Sequence, residues 1–188
     1  GVSMQEFFGD RRISCAIAGK NNELMVFKHA GRTSRSVFIE NFIFKVLLDD
    51  TTALSNGDLV TDPENNSYFV IARRDGAFTK TAQLQKVNGE IIIQKVSVHY
   101  ANKTKDGYCI TQSTVAPTSY KEITGKMQQF DQGLLPTTTI QFTMQVTDVA
   151  LTDRISLGNA AYIVNYIDAA KYPGLYVVQC ALDQRAIK

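Results

Sequence analysis

The side chains with types suited to acid–base or nucleophilic chemistry are few in this sequence, and they are scattered. His29 and His99 are the two histidines, and neither has a serine or cysteine beside it in a recognisable nucleophile motif. Activation of a weak nucleophile requires a base within hydrogen-bond reach, so this pattern nominates no covalent chemistry. Asp58, Asp62 and Asp75 form one set of carboxylates, and Asp148, Asp153 and Asp168 another. Paired carboxylates would serve general acid–base work if folding brought two of them together. Their settings point elsewhere. Asp75 and Asp168 precede Gly76 and Ala169 at the ends of apolar runs, where a short carboxylate satisfies turn amides. Asp58 and Asp153 each open an Asp-x-apolar segment, which reads as a strand start. Cys15, Cys109 and Cys180 are odd in number, far apart and in no metal-ligand spacing, and are expected as buried thiols in a reducing compartment. No Walker loop, GxGxxG or HExxH is present. The expectation is a chain with no catalytic residue, cofactor or metal.

Two other groups suit binding. Lys28, Arg32 and Arg35 lie in a Gly/Ser/Thr loop, and Lys103 and Lys105 in Asn-Lys-Thr-Lys-Asp-Gly; both have the composition of phosphate-contacting loops, although solvated loop charge is the commoner use. Tyr162, Tyr166, Tyr172 and Tyr176 cluster late in the chain. Alternation puts Tyr162, Val164 and Tyr166 on one face, and the row is expected to pack in a core or against a neighbouring subunit.

The elements that must carry these residues are strands. Ile140, Phe142, Met144 and Val146 alternate with Thr139, Gln141, Thr143, Gln145 and Thr147, the mark of a half-buried strand. Phe42, Phe44, Val46 and Leu48 repeat that pattern, Ile91–Tyr100 is β-branched-rich, and Leu175–Leu182 is apolar on both faces. Asn56-Gly57, Asn88-Gly89, Asp106-Gly107 and Pro173-Gly174 supply turns. Asn88-Gly89 either closes a hairpin or marks a domain crossing. Short helices are expected at Ser3–Phe8 and around Ser119–Asp131.

The strands come in two similar sets. Phe44–Asp75 and Phe142–Asp168 share an alternating strand, an Ala-Leu pair, an Asp before apolar residues, and a Tyr-containing run ending in Asp. The offset is about a domain's length, too long for a solenoid unit. The fold class expected is therefore mainly β, with two tandem small antiparallel barrels or sandwiches. The first spans residues 1–90 and the second 91–188, with a long loop excursion at 101–138 that includes a strand pair around Tyr108–Thr114. Lys28–Ser36 would be the shorter counterpart of that excursion in the first half.

Net charge is +2 with the two signs interleaved, so the basic stripe of a dedicated nucleic-acid binder is missing. No apolar run approaches the ~18 residues of a membrane span, and Gly1–Asp10 lacks the basic start and apolar run of a secretory leader.

The phrase Asp153-Arg154-Ile155-Ser156-Leu157-Gly158-Asn159-Ala160-Ala161-Tyr162-Ile163-Val164, followed by Ile167-Asp168 and Tyr172-Pro173-Gly174-Leu175, resembles the C-terminal half of small β-barrel proteins of tailed bacteriophages and prophages, the head-closure and head–tail adaptor family. A looser version covers Gly57–Val87, with Asn66, Tyr68, Val70 and Asp75 in matching places, although Gly76-Ala77-Phe78-Thr79 stands where Tyr-Pro-Gly-Leu is found in the second copy. Members of that family are typically single-barrel chains, so this one resembles a tandem variant. The resemblance implies a non-enzymatic virion protein, assembled in the bacterial host cytoplasm. Its copies would form a homo-oligomeric ring beside connector, portal or tail proteins. DNA would pass through the lumen, with Lys28, Arg32, Arg35, Lys103 and Lys105 able to face it. The excursion would be an interaction arm and Met4–Arg12 a docking peptide. Two other classes stay open: tandem OB-like barrels that bind nucleic acid, and a two-domain ligand-binding or enzymatic β protein.

Overall fold

A computed structural model describes residues 12–28 and 43–188. The expected N-terminal helix and docking peptide before Arg12, and His29, Arg32 and Arg35, lie outside the described residues. The chain divides into two compact units. The first holds the described residues up to Val87 together with Tyr172–Leu175; the second holds Asn88–Lys171 and Tyr176–Lys188.

The first unit contains β1 (Ile13–Ile17), β2 (Glu23–Lys28), β3 (Ile43–Leu48), β4 (Leu59–Thr61), β5 (Ser67–Asp75) and β6 (Lys80–Lys86). They form a closed antiparallel barrel in the order β1-β2-β3-β6-β5-β4, with β1 and β4 pairing to close it. The second contains β7 (Gly89–Ala101), β8 (Thr104–Glu122), a short helix α1 (Gly125–Phe130), β9 (Ile140–Gln145), β10 (Arg154–Leu157), β11 (Ala160–Asp168) and β12 (Leu175–Leu182). Its order repeats the first strand for strand, and β7 and β10 close it. Closure removes the unpaired edges that a small open sheet would expose.

The repeat extends to side chains. Inward residues alternate along each strand, and Phe44 and Tyr68 meet edge to face at 5.5 Å in the first core, as Phe142 and Tyr162 do at 5.9 Å in the second. Both copies carry a bulge at the same place, between Val70 and Ala72 in β5 and between Val164 and Tyr166 in β11. An extra residue in one strand switches which face the following side chains take. The cores differ at the Ala-Leu pair: Leu54 is fully buried in the first, while Leu151 is exposed and Val149 packs on the second core instead.

Of the two readings left open for Asn88-Gly89 the crossing is found, because β6 pairs with β3 and β5 whereas β7 pairs with β8 and β10. Other expectations are corrected. The border falls at Val87–Asn88 rather than 90/91, since Gly89 and Glu90 already pair with Thr118 and Pro117. The excursion at 101–138 is not mainly loop: through Glu122 it is strand β8, paired with β7 from Thr104 to Thr118 and with β9 from Ser119 to Glu122. Its counterpart in the first barrel is the short β1–β2 hairpin, whereas the chain from β2 to β3 takes the place of the β8-to-β9 connection in the order of elements. β9 is buried on both faces, Gln141 and Thr143 included, and it stops before the exposed Val146.

Candidate functional site

The carboxylates serve the barrels. Asp153 Oδ2 accepts from the Ala150 amide at 2.8 Å and from Lys95 Nζ at 2.5 Å, and Lys95 also lies 3.2 Å from Asp148. In the first barrel Asp58 Oδ2 accepts from the Ser55 amide at 2.8 Å and from Lys20 Nζ at 2.7 Å. The residue before each is in the left-handed region, Gly57 at φ 86° and Thr152 at φ 69°. From there the backbone pairs with Val70 or Val164: each valine amide donates to the Asp carbonyl at 3.0 Å. A similar clamp thus ties the turn before the fourth strand to a lysine, Lys95 on the first strand of the second barrel and Lys20 in the turn after β1 in the first. Burial disfavours the Lys95 ammonium, but its hydrogen bonds to Asp153 and Asp148 outweigh this and hold its pKa above the ordinary lysine value.

Asp168 accepts from the Ala170 and Lys171 amides, as expected of a turn carboxylate. Asp75 instead takes a two-pronged hydrogen bond from the Arg73 guanidinium, which keeps its carboxyl below the usual range. Among the described residues no group of three or more His, Cys, Asp or Glu side chains is arranged to hold a metal. Cys15 and Cys180 are buried, which pushes the first thiol up to about 11 and the second higher still. Neither is a ready nucleophile. Cys109 is partly exposed, with Sγ 3.3 Å from Ser97 Oγ.

The four tyrosines do not form a row. Tyr162 and Tyr176 pack against the second core, and Tyr172 packs against Phe69, Ile71 and Leu175 in the first unit. Tyr166 is exposed, because the bulge at Asn165 turns it outward and brings Ile167 to the core in its place. A sequence reading with strict alternation has no signal for that bulge.

Of the basic residues, Lys28 ends β2 opposite Lys45, both exposed. Lys103 and Lys105 lie at the tip of the β7–β8 hairpin. Lys105 Nζ donates to Tyr108 Oη at 2.9 Å and sits 4.6 Å from the ring centre, and the Arg185 guanidinium approaches the same ring at 5.4 Å. The Tyr108 hydroxyl is held below the usual phenol range, first by the Lys105 hydrogen bond. Two carboxylates offset this positive charge. Asp183, almost wholly buried, pairs with Arg185 at 2.9 Å and with Arg154 at 3.6 Å, and Asp106 lies 2.5 Å from His99 Nδ1. The His99 contact keeps Asp106 below the ordinary carboxylate range.

The feature that stands out is the hairpin itself. β10 pairs with β7 only at Ile92–Gln94, and β9 pairs with β8 only at Ser119–Glu122. Beyond those points β7 and β8 run on as a two-stranded arm to the turn Asn102-Lys103, whose φ values of 50° and 66° fit a two-residue mirror-image turn. Directly paired residues share a face. Val96 with Ile110, Val98 with Tyr108, and Ile92 with Val115 therefore form an outward apolar stripe, broken once by the Gln94–Ser113 pair, and Tyr100 continues it toward the tip. Val115 is 58 % exposed, Tyr100 63 % and Val98 37 %. A stripe of β-branched and aromatic side chains on a protruding ribbon can do little chemically, but it is suited to packing against another protein.

No protein-family model and no curated protein sequence matches the chain.

Proposed function

We propose that this chain is a structural assembly protein of a tailed phage or prophage, one component of a ring in the head–tail connector or the adjoining tail or baseplate. The observation that carries the reading is the arm. One barrel is built twice, and in the second copy a single hairpin is lengthened into an apolar ribbon that its own barrel does not need for closure. Such a ribbon is an economical joint, because strand pairing and apolar packing hold a neighbour without demanding a particular sequence from it. The resemblance of Asp153–Leu175 to head-closure and adaptor barrels supplies the virion context. In that setting Lys103 and Lys105, at the arm's tip, are the described basic residues best placed to meet DNA in a lumen if the arms point inward.

The test is direct. Purified protein, alone and co-expressed with the products of its neighbouring genes, is imaged by negative stain and sedimented. Rings, or a stoichiometric complex with a portal-like or tail protein, are expected. A chain that stays monomeric in every combination refutes the reading. Salt-dependent binding of single-stranded oligonucleotides by the monomer would instead favour the tandem nucleic-acid-binding alternative.

A further inference from the structure

The two edges of the arm are treated differently. On the β8 side the segment after β12 lies alongside: the Tyr108 amide donates to the Ala186 carbonyl and the Lys188 amide to the Tyr108 carbonyl, both at 2.8 Å. This makes a parallel bridge between Tyr108 and Ile187. A bulge at Thr111 and the missing amide of Pro117 interrupt the rest of that edge, and both are devices that discourage further pairing.

The β7 side has no such cover. β10 occupies it at Ile92–Gln94 and the turn begins at Asn102, so Lys95–Ala101 has no strand partner among the described residues. Val96–Ala101 reads Val-Ser-Val-His-Tyr-Ala, without proline, lysine or a carboxylate. Both irregularities of the ladder place their extra residue on β8, which leaves β7 regular. Lys95 is turned to Asp153 and Asp148 rather than outward along the edge. A regular, β-rich edge without proline, lysine or carboxylate is a template for another strand.

We infer that this edge is a self-association site, where β7 of one copy pairs antiparallel with β7 of a second copy about a two-fold axis at Val98. The occupant follows from the register. The free stretch runs from Lys95 to Ala101 and its midpoint is Val98, so pairing about that point uses all of it. Val96 then faces the partner's Tyr100, and Ser97 faces the partner's His99. These are β-branched–aromatic and small polar pairs, with no like charges opposed. A centre at Ser97 would run into the residues that β10 already pairs, and one at His99 would oppose two imidazoles and run into the turn. The two outward stripes would join into one four-stranded sheet. The joint is about 23 Å long at ~3.3 Å per residue, so it is small and its dimer is concentration-dependent. A two-fold joint pairs chains and leaves ring contacts to other surfaces, so it stands whether or not the virion reading does.

Sedimentation equilibrium of the full chain is expected to show a monomer–dimer equilibrium. Val98→Lys opposes two ammonium groups on the axis and weakens the dimer by about tenfold or more, as Val98→Glu does with two carboxylates. An equimolar mixture of the two variants recovers association. Because these substitutions also act on the arm's own pairing, a second pair of variants tests the geometry. On a Cys109→Ser background, Val98→Cys oxidises to a covalent dimer, since directly opposed Cβ atoms about 4.5–5.5 Å apart need only a small approach to reach the ~3.5–4.5 Å of a disulfide. Val115→Cys, on the same ribbon and more exposed, does not. A wild-type chain that is monomeric at every concentration overturns the inference. So does self-association indifferent to Val98→Lys, or cross-linking no faster at Val98 than at Val115.

Discussion

The repeated lysine–aspartate clamp allows an internal comparison, because one substitution is made twice in nearly the same surroundings. Asp153→Ala removes the acceptor of the Ala150 amide, about 1 kcal/mol for a typical net hydrogen bond. It also strands Lys95, whose remaining partner is the largely exposed Asp148 at 3.2 Å. A partly buried ammonium left with one exposed partner adds about 1–2 kcal/mol, less than a fully buried one because water reaches it. The second barrel should therefore lose about 2–3 kcal/mol. Asp58→Ala removes the matching turn bond, but Lys20 keeps the Ala53 carbonyl at 2.7 Å and Ser55 Oγ at 3.1 Å. The first barrel should lose only about 1–1.5 kcal/mol. Global unfolding need not be two-state in a two-unit chain, so hydrogen exchange read by mass spectrometry is the suitable assay. Asp153→Ala should speed exchange in peptides from 88–171 and Asp58→Ala in those from 43–87. A double-mutant cycle of Lys95→Met with Asp153→Asn should show coupling larger than Lys20→Met with Asp58→Asn. Equal costs in the two barrels, or losses under about 0.5 kcal/mol in the second, would refute the argument that residual partners set the difference.

Other predictions follow from the same structure. Thr152 is β-branched and in the left-handed region where the other copy has Gly57, so Thr152→Gly should stabilise the second barrel by about 1 kcal/mol in urea unfolding, against the usual direction of a Gly substitution. Gly57→Ala should cost more than that gain, because its Cβ would stand 2.5 Å from the Gly174 carbonyl oxygen. In a maleimide time course Cys109 should react first, with Cys15 and Cys180 protected by burial and raised pKa until the barrels open. Burial works to raise Asp183, but its hydrogen bonds and charge contacts with Arg185, and the charge of Arg154, outweigh this and set its folded pKa below the ordinary carboxylate value. Its contribution should be complete above the ordinary carboxylate pKa of about 3.9 and fade as pH falls through the lower folded value, releasing the segment after β12 from Tyr108. Exchange at Tyr108 and Lys188, followed from pH 5 to about pH 2, checks this, and Asp183→Asn should flatten the dependence.

The sequence made the barrels legible because their cores obey a period of two and occur twice: Phe44 and Tyr68 of one copy stand where Phe142 and Tyr162 stand in the other. It hid what breaks that period. The bulges at Ile71 and Asn165 switch faces within strands that look regular, which is why Tyr166 seems to belong with Tyr162. β8 was harder still. Its threonines and serines carry little apolar signal, Thr111 and Asp106 interrupt its pairing, and Pro117 argues against a strand unless it sits where no amide is needed. A segment with those three features reads as loop. The basic groups gave no geometry at all, since nothing in the spacing of Lys103 and Lys105 foretells that one of them will rest on Tyr108.

Comparing the two copies separates what the fold needs from what it is used for. The clamp, the bulge and the tyrosine–phenylalanine edge contact occur in both barrels, so closing a six-stranded sheet of this size is enough to explain them. The long ribbon occurs in one. Carrying it has a cost: two strands that run past their neighbours leave backbone groups on water and apolar side chains uncovered, and a protein under no demand for them would lose both by shortening the hairpin to the length of β1–β2. The first barrel shows that the shorter hairpin closes the same fold. Closure therefore does not account for the arm's length, and the proposed self-association would account for it by covering the edge. That makes arm deletion the informative experiment: replacing 96–110 with a two-residue turn should leave the second barrel folded and abolish self-association together.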